Sequence, residues 1–103
     1  MVRIVEIKRN AVADLCARYH VRRLELFGSA TKEGFDEASS DLDFIVEFEE
    51  LAPQEHANAY FDLLEGLQQI FGRPIDLVER RAVRNPYFLR AVDQDRVEVY
   101  AAA

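Results

Sequence analysis

The stretch Asp41-Leu42-Asp43-Phe44-Ile45-Val46-Glu47-Phe48 decides how the rest of the chain is read. Leu42, Phe44, Val46 and Phe48 alternate with Asp41, Asp43, Ile45 and Glu47, the period of two expected of a strand with one face in a core. Asp41 and Asp43 therefore project from the same side, roughly 6.5–7 Å apart along the strand. Two like charges this close repel, and their ionised forms are tolerated best when a cation lies between them. A pair of divalent ions roughly 3.5–4 Å apart, each also taking phosphate oxygens, is a geometry such carboxylates can hold. An isolated Asp-x-Asp is also a common spacing for two solvated surface acids, so its meaning rests on its neighbours.

Working outward, the spacing of Ala11, Val12, Leu15, Cys16 and Tyr19 predicts a helix from about Ile7 to Tyr19. Val21 to Phe27 reads as a strand with Leu24 and Leu26 on one face and Arg23 and Glu25 on the other, ended by Gly28-Ser29. The polar stretch to Ser40 reads as a short helical turn and a loop. Downstream, Pro53 opens a second helix that runs to about Phe71, with a stripe of Ala57, Tyr60, Phe61, Leu64, Leu67, Ile70 and Phe71 and a stop at Gly72. Pro74 to Val78 is a short strand, Asn85-Pro86 caps a helix through Ala91, and Val97 to Tyr100 reads as a last strand. The expected class is α/β (α+β): a small mixed sheet flanked by helices, with residues 1–103 forming a single domain.

Three neighbours give the aspartates a chemical context. Gly28 lets backbone approach a ligand closely, and the turn after it offers free N–H groups and the Ser29 hydroxyl to a phosphate. Lys32, three residues on, supplies a phosphate charge or is a plain surface lysine. Asp76 sits between Ile75 and Leu77-Val78, where an acid is costly if buried unpaired. It either faces water at a strand edge or lies beside Asp41 and Asp43, as a third metal ligand or as the base that takes a proton from an attacking hydroxyl.

Composition bounds the partners. Half of the residues are apolar, which excludes disorder, and no apolar run approaches the ~20 residues of a membrane helix. Met1 to Asn10 shows no signal-peptide apolar region, so a cytoplasmic location is expected, with no membrane partner. The net charge of −6 argues against nucleic acid as a direct partner. Charge is also unevenly spread: five arginines (Arg73, Arg80, Arg81, Arg84, Arg90) lie in a segment with only Asp76 and Glu79 opposing them. They are suited to contacting a nucleotide or a partner, and none is singled out. Cys16 lies on an apolar helical stripe and reads as a core residue. His20 and His56 lack ligand-spaced partners and read as structural; Glu47 shares the face of Asp41 and Asp43 but lies further along the strand and reads as solvated.

The runs Leu26-Phe27-Gly28-Ser29-Ala30, Ser40-Asp41-Leu42-Asp43-Phe44-Ile45-Val46 and Ile75-Asp76-Leu77 together resemble the polymerase-β-type nucleotidyltransferase superfamily. The match is closest to its minimal nucleotidyltransferase proteins, and it covers nearly the whole chain. The resemblance implies that Gly28 and Ser29 hold the triphosphate, with Lys32 standing where many relatives carry an arginine. Asp41, Asp43 and Asp76 become the catalytic and metal-ligating residues: the first two ligate two Mg²⁺ ions (Mn²⁺ fits as well), and Asp76 activates the acceptor hydroxyl. The loop from Ala30 to Ser40 is a residue longer than is common, and the glycine that often follows the basic residue is displaced to Gly34. Such proteins are similar to antitoxins paired with HEPN-domain ribonuclease toxins. The implied reaction transfers AMP from ATP to a tyrosine hydroxyl of the toxin, within a hetero-oligomer. Two other readings stand beside it: an antitoxin that blocks its partner by binding alone, and a nucleotidyltransferase acting on a small-molecule hydroxyl.

Overall fold

The alternation of residues 41–48 is realised as the central element of a four-stranded sheet. The computed structural model describes residues 3–31 and 41–103, and of Ser29 and Ala30 only the backbone. Lys32, Gly34 and Ser40 thus lie outside the described residues. In chain order the elements are α1 (Arg3–Ile7), α2 (Arg9–Arg18), β1 (Val21–Phe27), a 3-10 turn (Gly28–Thr31), β2 (Leu42–Phe48), α3 (Pro53–Phe71), β3 (Ile75–Glu79), a second 3-10 turn (Arg80–Ala82), α4 (Pro86–Asp95) and β4 (Val97–Ala101). The sheet order is β3-β2-β1-β4. β1 pairs antiparallel with both β2 and β4, and β2 pairs parallel with β3 across the α3 crossover.

The pleat divides the side chains between two layers. Leu24 and Leu26 of β1, Leu42, Phe44, Val46 and Phe48 of β2, and Leu77 of β3 join Val5, Val12, Cys16, Ala59, Leu63, Leu67 and Phe71 in the main core under α1, α2 and α3. Phe44 is fully buried and lies 6.0 Å from Phe71, ring centre to ring centre. Burying one such side chain stabilises the fold by about 1.5–3 kcal/mol. On the opposite face Phe27 and Ile45 pack against Val92, with Val78, Phe88 and Leu89 around them, so α4 covers part of that face.

Helix ends follow local chemistry. Gly72 ends α3 with a left-handed φ of 62° and donates its N–H to Gln68 O. Asn85 caps α4 through Oδ1, which accepts from the N–H groups of Tyr87 and Phe88. Mid-helix Gly66 has a packing reason: a Cβ there would meet Leu15 Cδ1 at 2.5 Å.

Four expectations are corrected. The first helix is two helices, α1 and α2, broken at Lys8, and it starts earlier than Ile7. Its Ala11 is exposed, while Val12 and Cys16 are buried. The inner face of α3 is Ala59, Leu63, Leu67 and Phe71, and both Ala57 and Phe61 point outward. The rest of the expected stripe holds, since Leu67 and Phe71 are buried and Tyr60, Leu64 and Ile70 pack against the core; Ala59 and Leu63 replace Ala57 and Phe61. Finally, α4 continues past Ala91 to Asp95, since Val92 packs on Ile45 and carries the helix another turn.

Cys16 is fully buried, and that burial pushes its thiol from 9.0 to about 12. The folded thiol therefore keeps its proton at every pH where the unfolded one begins to lose it. Its contribution to stability is complete below about pH 9 and declines as the pH rises from there toward 12. In native protein at pH 8 a thiol reagent is expected to leave Cys16 unlabelled, and in urea to label it fully. Rapid labelling without denaturant would show that α2 does not pack as described.

Candidate active site

Asp43 sits on the sheet face opposite the main core, because Leu42 and Phe44 on either side of it are drawn into that core. Parallel pairing sets Asp43 directly beside Asp76 of β3, and antiparallel pairing sets it beside Phe27 of β1. Neighbouring strands run about 4.8 Å apart, so the Asp43 and Asp76 side chains leave adjacent backbone positions on one side. Asp41 stands one residue before β2 and is exposed; Asp76, on the edge strand, is exposed as well. The two readings of Asp76 thus hold together: it faces water at a strand edge, and it lies beside Asp43.

The electrostatics follow from this row. The carboxyl of Asp43 is raised above its ordinary 3.8, first by burial, then by the charge of Asp76, then by that of Asp41. A metal ion held between the acids would oppose that shift, since its positive charge would offset the repulsion and favour the ionised carboxylates. Among the described residues no three His, Cys, Asp or Glu side chains already gather tightly enough to hold an ion as a set. The donors present are instead a row of carboxylates, the hard oxygen ligands that suit Mg²⁺. Mg²⁺ takes one or two carboxylates and completes its shell with water and phosphate oxygens. In its chemistry the donor set fits such an ion.

Gly28 closes the site from β1. Its φ is +75°, and a Cβ built there would lie 2.6 Å from Asp43 Oδ2. Glycine is required twice over: for the left-handed backbone and for the close approach to the carboxylate. The 3-10 turn that follows is closed by Thr31, whose hydroxyl donates to Gly28 O at 2.8 Å. The structure therefore brings Gly28, Asp41, Asp43 and Asp76 to one end of the sheet and carries the Ser29 backbone in the adjoining turn. A hollow of about 350 Å³ bordered by Arg22, Glu47 and Arg81, and another of about 490 Å³ bordered by Leu51, His56 and Tyr60, touch none of the three aspartates. The chemistry of the carboxylate row outweighs the volume of those hollows.

Several polar contacts around the site were not foreseen. Glu25, 4% exposed, receives Arg96 Nη1 at 2.6 Å. Arg96 Nε also reaches Asp93 Oδ1 at 3.5 Å, and Arg80 links Asp93 at 2.9 Å to Glu47 at 3.9 Å. This chain of charges ties α4 to β1 and β2. Tyr60 Oη donates to Leu77 O at 2.7 Å, next to Asp76, and His56 Nε2 pairs with Glu79 Oε1 at 2.5 Å. Except for Arg96 and Asp93, the partners lie 13 to 71 positions apart, so no local sequence pattern signals them.

A model of the nucleotidyltransferase domain family matches residues 8–99. The chain belongs to that family. A Methanocaldococcus jannaschii protein, provisionally named a protein adenylyltransferase, is 33% identical over 96 residues that span 93% of this chain and 94% of its own length. A solved structure provisionally described as a minimal nucleotidyltransferase is 30% identical, with a TM-score of 0.68 over 94% of this chain and 95% of that one. A chain from the complex of a tri-AMPylated Shewanella oneidensis HEPN toxin with its MNT antitoxin shares the fold. It has a TM-score of 0.66 and 18% identity over 95% of this chain and 73% of that one. By its family and its relatives the chain is an enzyme of the adenylyltransferase kind.

Replacing Gly28 by Ala forces an unfavourable φ and drives a methyl group into the Asp43 carboxylate. Gly28→Ala is expected to cost about 1–2 kcal/mol of stability and to lower nucleotidyl transfer at least about tenfold. Urea denaturation and a turnover assay check both. A variant with unchanged activity would show that Gly28 does not set the position of Asp43.

Proposed function

We propose that this chain, acting as a single catalytic domain in the cytoplasm, transfers AMP from ATP to a tyrosine hydroxyl of a HEPN-type toxin bound to it, and so silences that toxin. The observation that carries the reading is the carboxylate row, Asp43 in register with Asp76 and flanked by Asp41, facing a glycine whose backbone closes on it. The provisional name of the Methanocaldococcus relative and the AMPylated toxin in the Shewanella complex support the donor and the kind of partner.

Asp41, Asp43 and Asp76 would hold two divalent ions, Mg²⁺ or Mn²⁺. Such ions, when bound, neutralise the triphosphate and the charge that develops on it. The backbone at Gly28 and the turn through Ser29 orient the phosphates, with Lys32 as an added charge. Asp76, exposed at the edge strand, is placed to take the proton of an incoming hydroxyl. The tyrosine oxygen then forms a bond to the α-phosphorus, the bond from that phosphorus to the bridging oxygen breaks, and pyrophosphate leaves with the electron pair. The protein chiefly positions this in-line displacement. An edge strand leaves room for a partner to deliver its hydroxyl from outside, which fits a protein acceptor.

Intact-mass spectrometry of the partner toxin after incubation with ATP and Mg²⁺ tests the reading, against a control with Asp41→Asn and Asp43→Asn together. A gain of one or more AMP units, absent with the double variant, is expected. A toxin that is bound and inhibited at unchanged mass would replace catalysis by simple blockade.

A further inference from the structure

Tyr87 is 73% exposed, although the residue after it is packed. Phe88 stacks edge-on against Phe27, with ring centres 5.8 Å apart and planes at 85°. Phe27 in turn stands directly across from Asp43. With one strand spacing between those two residues, the first turn of α4 stands on the order of 10 Å from the carboxylates. That turn is held firmly: Pro86 opens it, and Asn85 Oδ1 accepts from Tyr87 N at 2.9 Å and Phe88 N at 3.4 Å. α4 as a whole also packs against the 3-10 turn Gly28–Thr31. Tyr87 is thus an exposed aromatic ring fixed at the end of the sheet where the acids lie.

One further contact fixes the ring itself. The guanidinium carbon of Arg90 lies 5.7 Å from the Tyr87 ring centre, within the range of a cation–π contact. A tyrosine free in solvent swings between rotamers, whereas this one is steadied by a cation on the same helix, one turn on. Its remaining surface stays open to water.

We propose that Tyr87, steadied by Arg90, is the shelf on which the nucleobase of the triphosphate stacks, an assignment that rests on the nucleotidyl-transfer reading above. The phosphates lie over Gly28 and the carboxylate row, and the base extends toward the N-terminus of α4. Stacking on an aromatic ring is available to any base and is strongest for the larger purines, and an adjacent arginine adds to it. The shelf therefore contributes affinity without reading the pattern of hydrogen-bond donors on the base. Adenine and guanine nucleotides depend on it alike.

Titration calorimetry with Mg-ATP, Mg-GTP and inorganic tripolyphosphate, on the wild-type chain and on Tyr87→Ala, Tyr87→Phe and Arg90→Ala, tests this directly. Tyr87→Ala is expected to weaken ATP and GTP about tenfold while leaving tripolyphosphate unchanged, because the triphosphate contacts lie elsewhere. Tyr87→Phe keeps the ring and is expected to bind as wild type; Arg90→Ala gives a smaller loss. ATP affinity unchanged in Tyr87→Ala overturns the shelf alone. An equal loss for tripolyphosphate also overturns it, since the substitution would then have disturbed α4 as a whole. Failure of the wild-type chain to bind either ATP or tripolyphosphate overturns the nucleotidyl-transfer reading, and the shelf with it.

Discussion

The parallel pairing of β2 with β3 is the constraint on which the site depends. A strand has only two faces, and the burial of Leu42, Phe44, Val46 and Phe48 uses one of them completely. Asp43 is then confined to the other face. The register Asp43↔Asp76, with Phe44↔Leu77 as the next row, follows once Leu77 enters the same core. A slip of one residue in β3 would bury Asp76 and expose Leu77, so the core that stabilises the sheet also enforces the meeting of the acids. The α3 crossover makes parallel pairing possible, because a tight turn cannot return a strand in the same direction.

Bringing like charges together costs stability, and the same sheet face also carries α4. α4 lays Phe88, Leu89 and Val92 beside Phe27, Ile45 and Val78, an apolar cover that ends at the acid row. At the other end of α4, Arg96 compensates the buried Glu25, and Arg80 bridges Asp93 to Glu47. Removing one member of such a pair leaves a desolvated charge, which is far more costly than never having had the pair. The helix is therefore clipped at its far end by charge and at its near end by aromatic packing. That rigidity would serve the proposed site, in which a glycine and three acids are to hold a reacting group in place.

Much of this was legible in the chain because it depends on local rules. A period of two over residues 41–48, a glycine stop at Gly72 and the Asn85-Pro86 cap each follow from short-range sterics and hydrogen bonding, and all three stand as read. The inner face of α3 was only partly legible: Tyr60, Leu64, Leu67, Ile70 and Phe71 pack as expected, whereas Phe61 looks like a core residue and points outward, and Ala59 and Leu63 face the core instead. The single first helix was misread because no proline or glycine marks the break at Lys8. Glu25 reads with Arg23 as the face of β1 opposite Leu24 and Leu26, yet it is buried. Its burial depends on Arg96, 71 positions away, and no local pattern carries that information.

By itself the sequence determined the strand that bears Asp43, with Asp41 just before it, the turn at Gly28-Ser29, and the presence of a third acid on a later short strand, since each is an expression of backbone preference within a few residues. Only the tertiary structure decided that Asp76 stands in register with Asp43, that a Cβ on Gly28 would meet the Asp43 carboxylate, and that α4 packs on the acid-bearing face with its first turn beside Phe27. The physical reason is that strand pairing and helix docking are set by which apolar surfaces bury each other across the whole chain, a choice made between residues far apart in sequence.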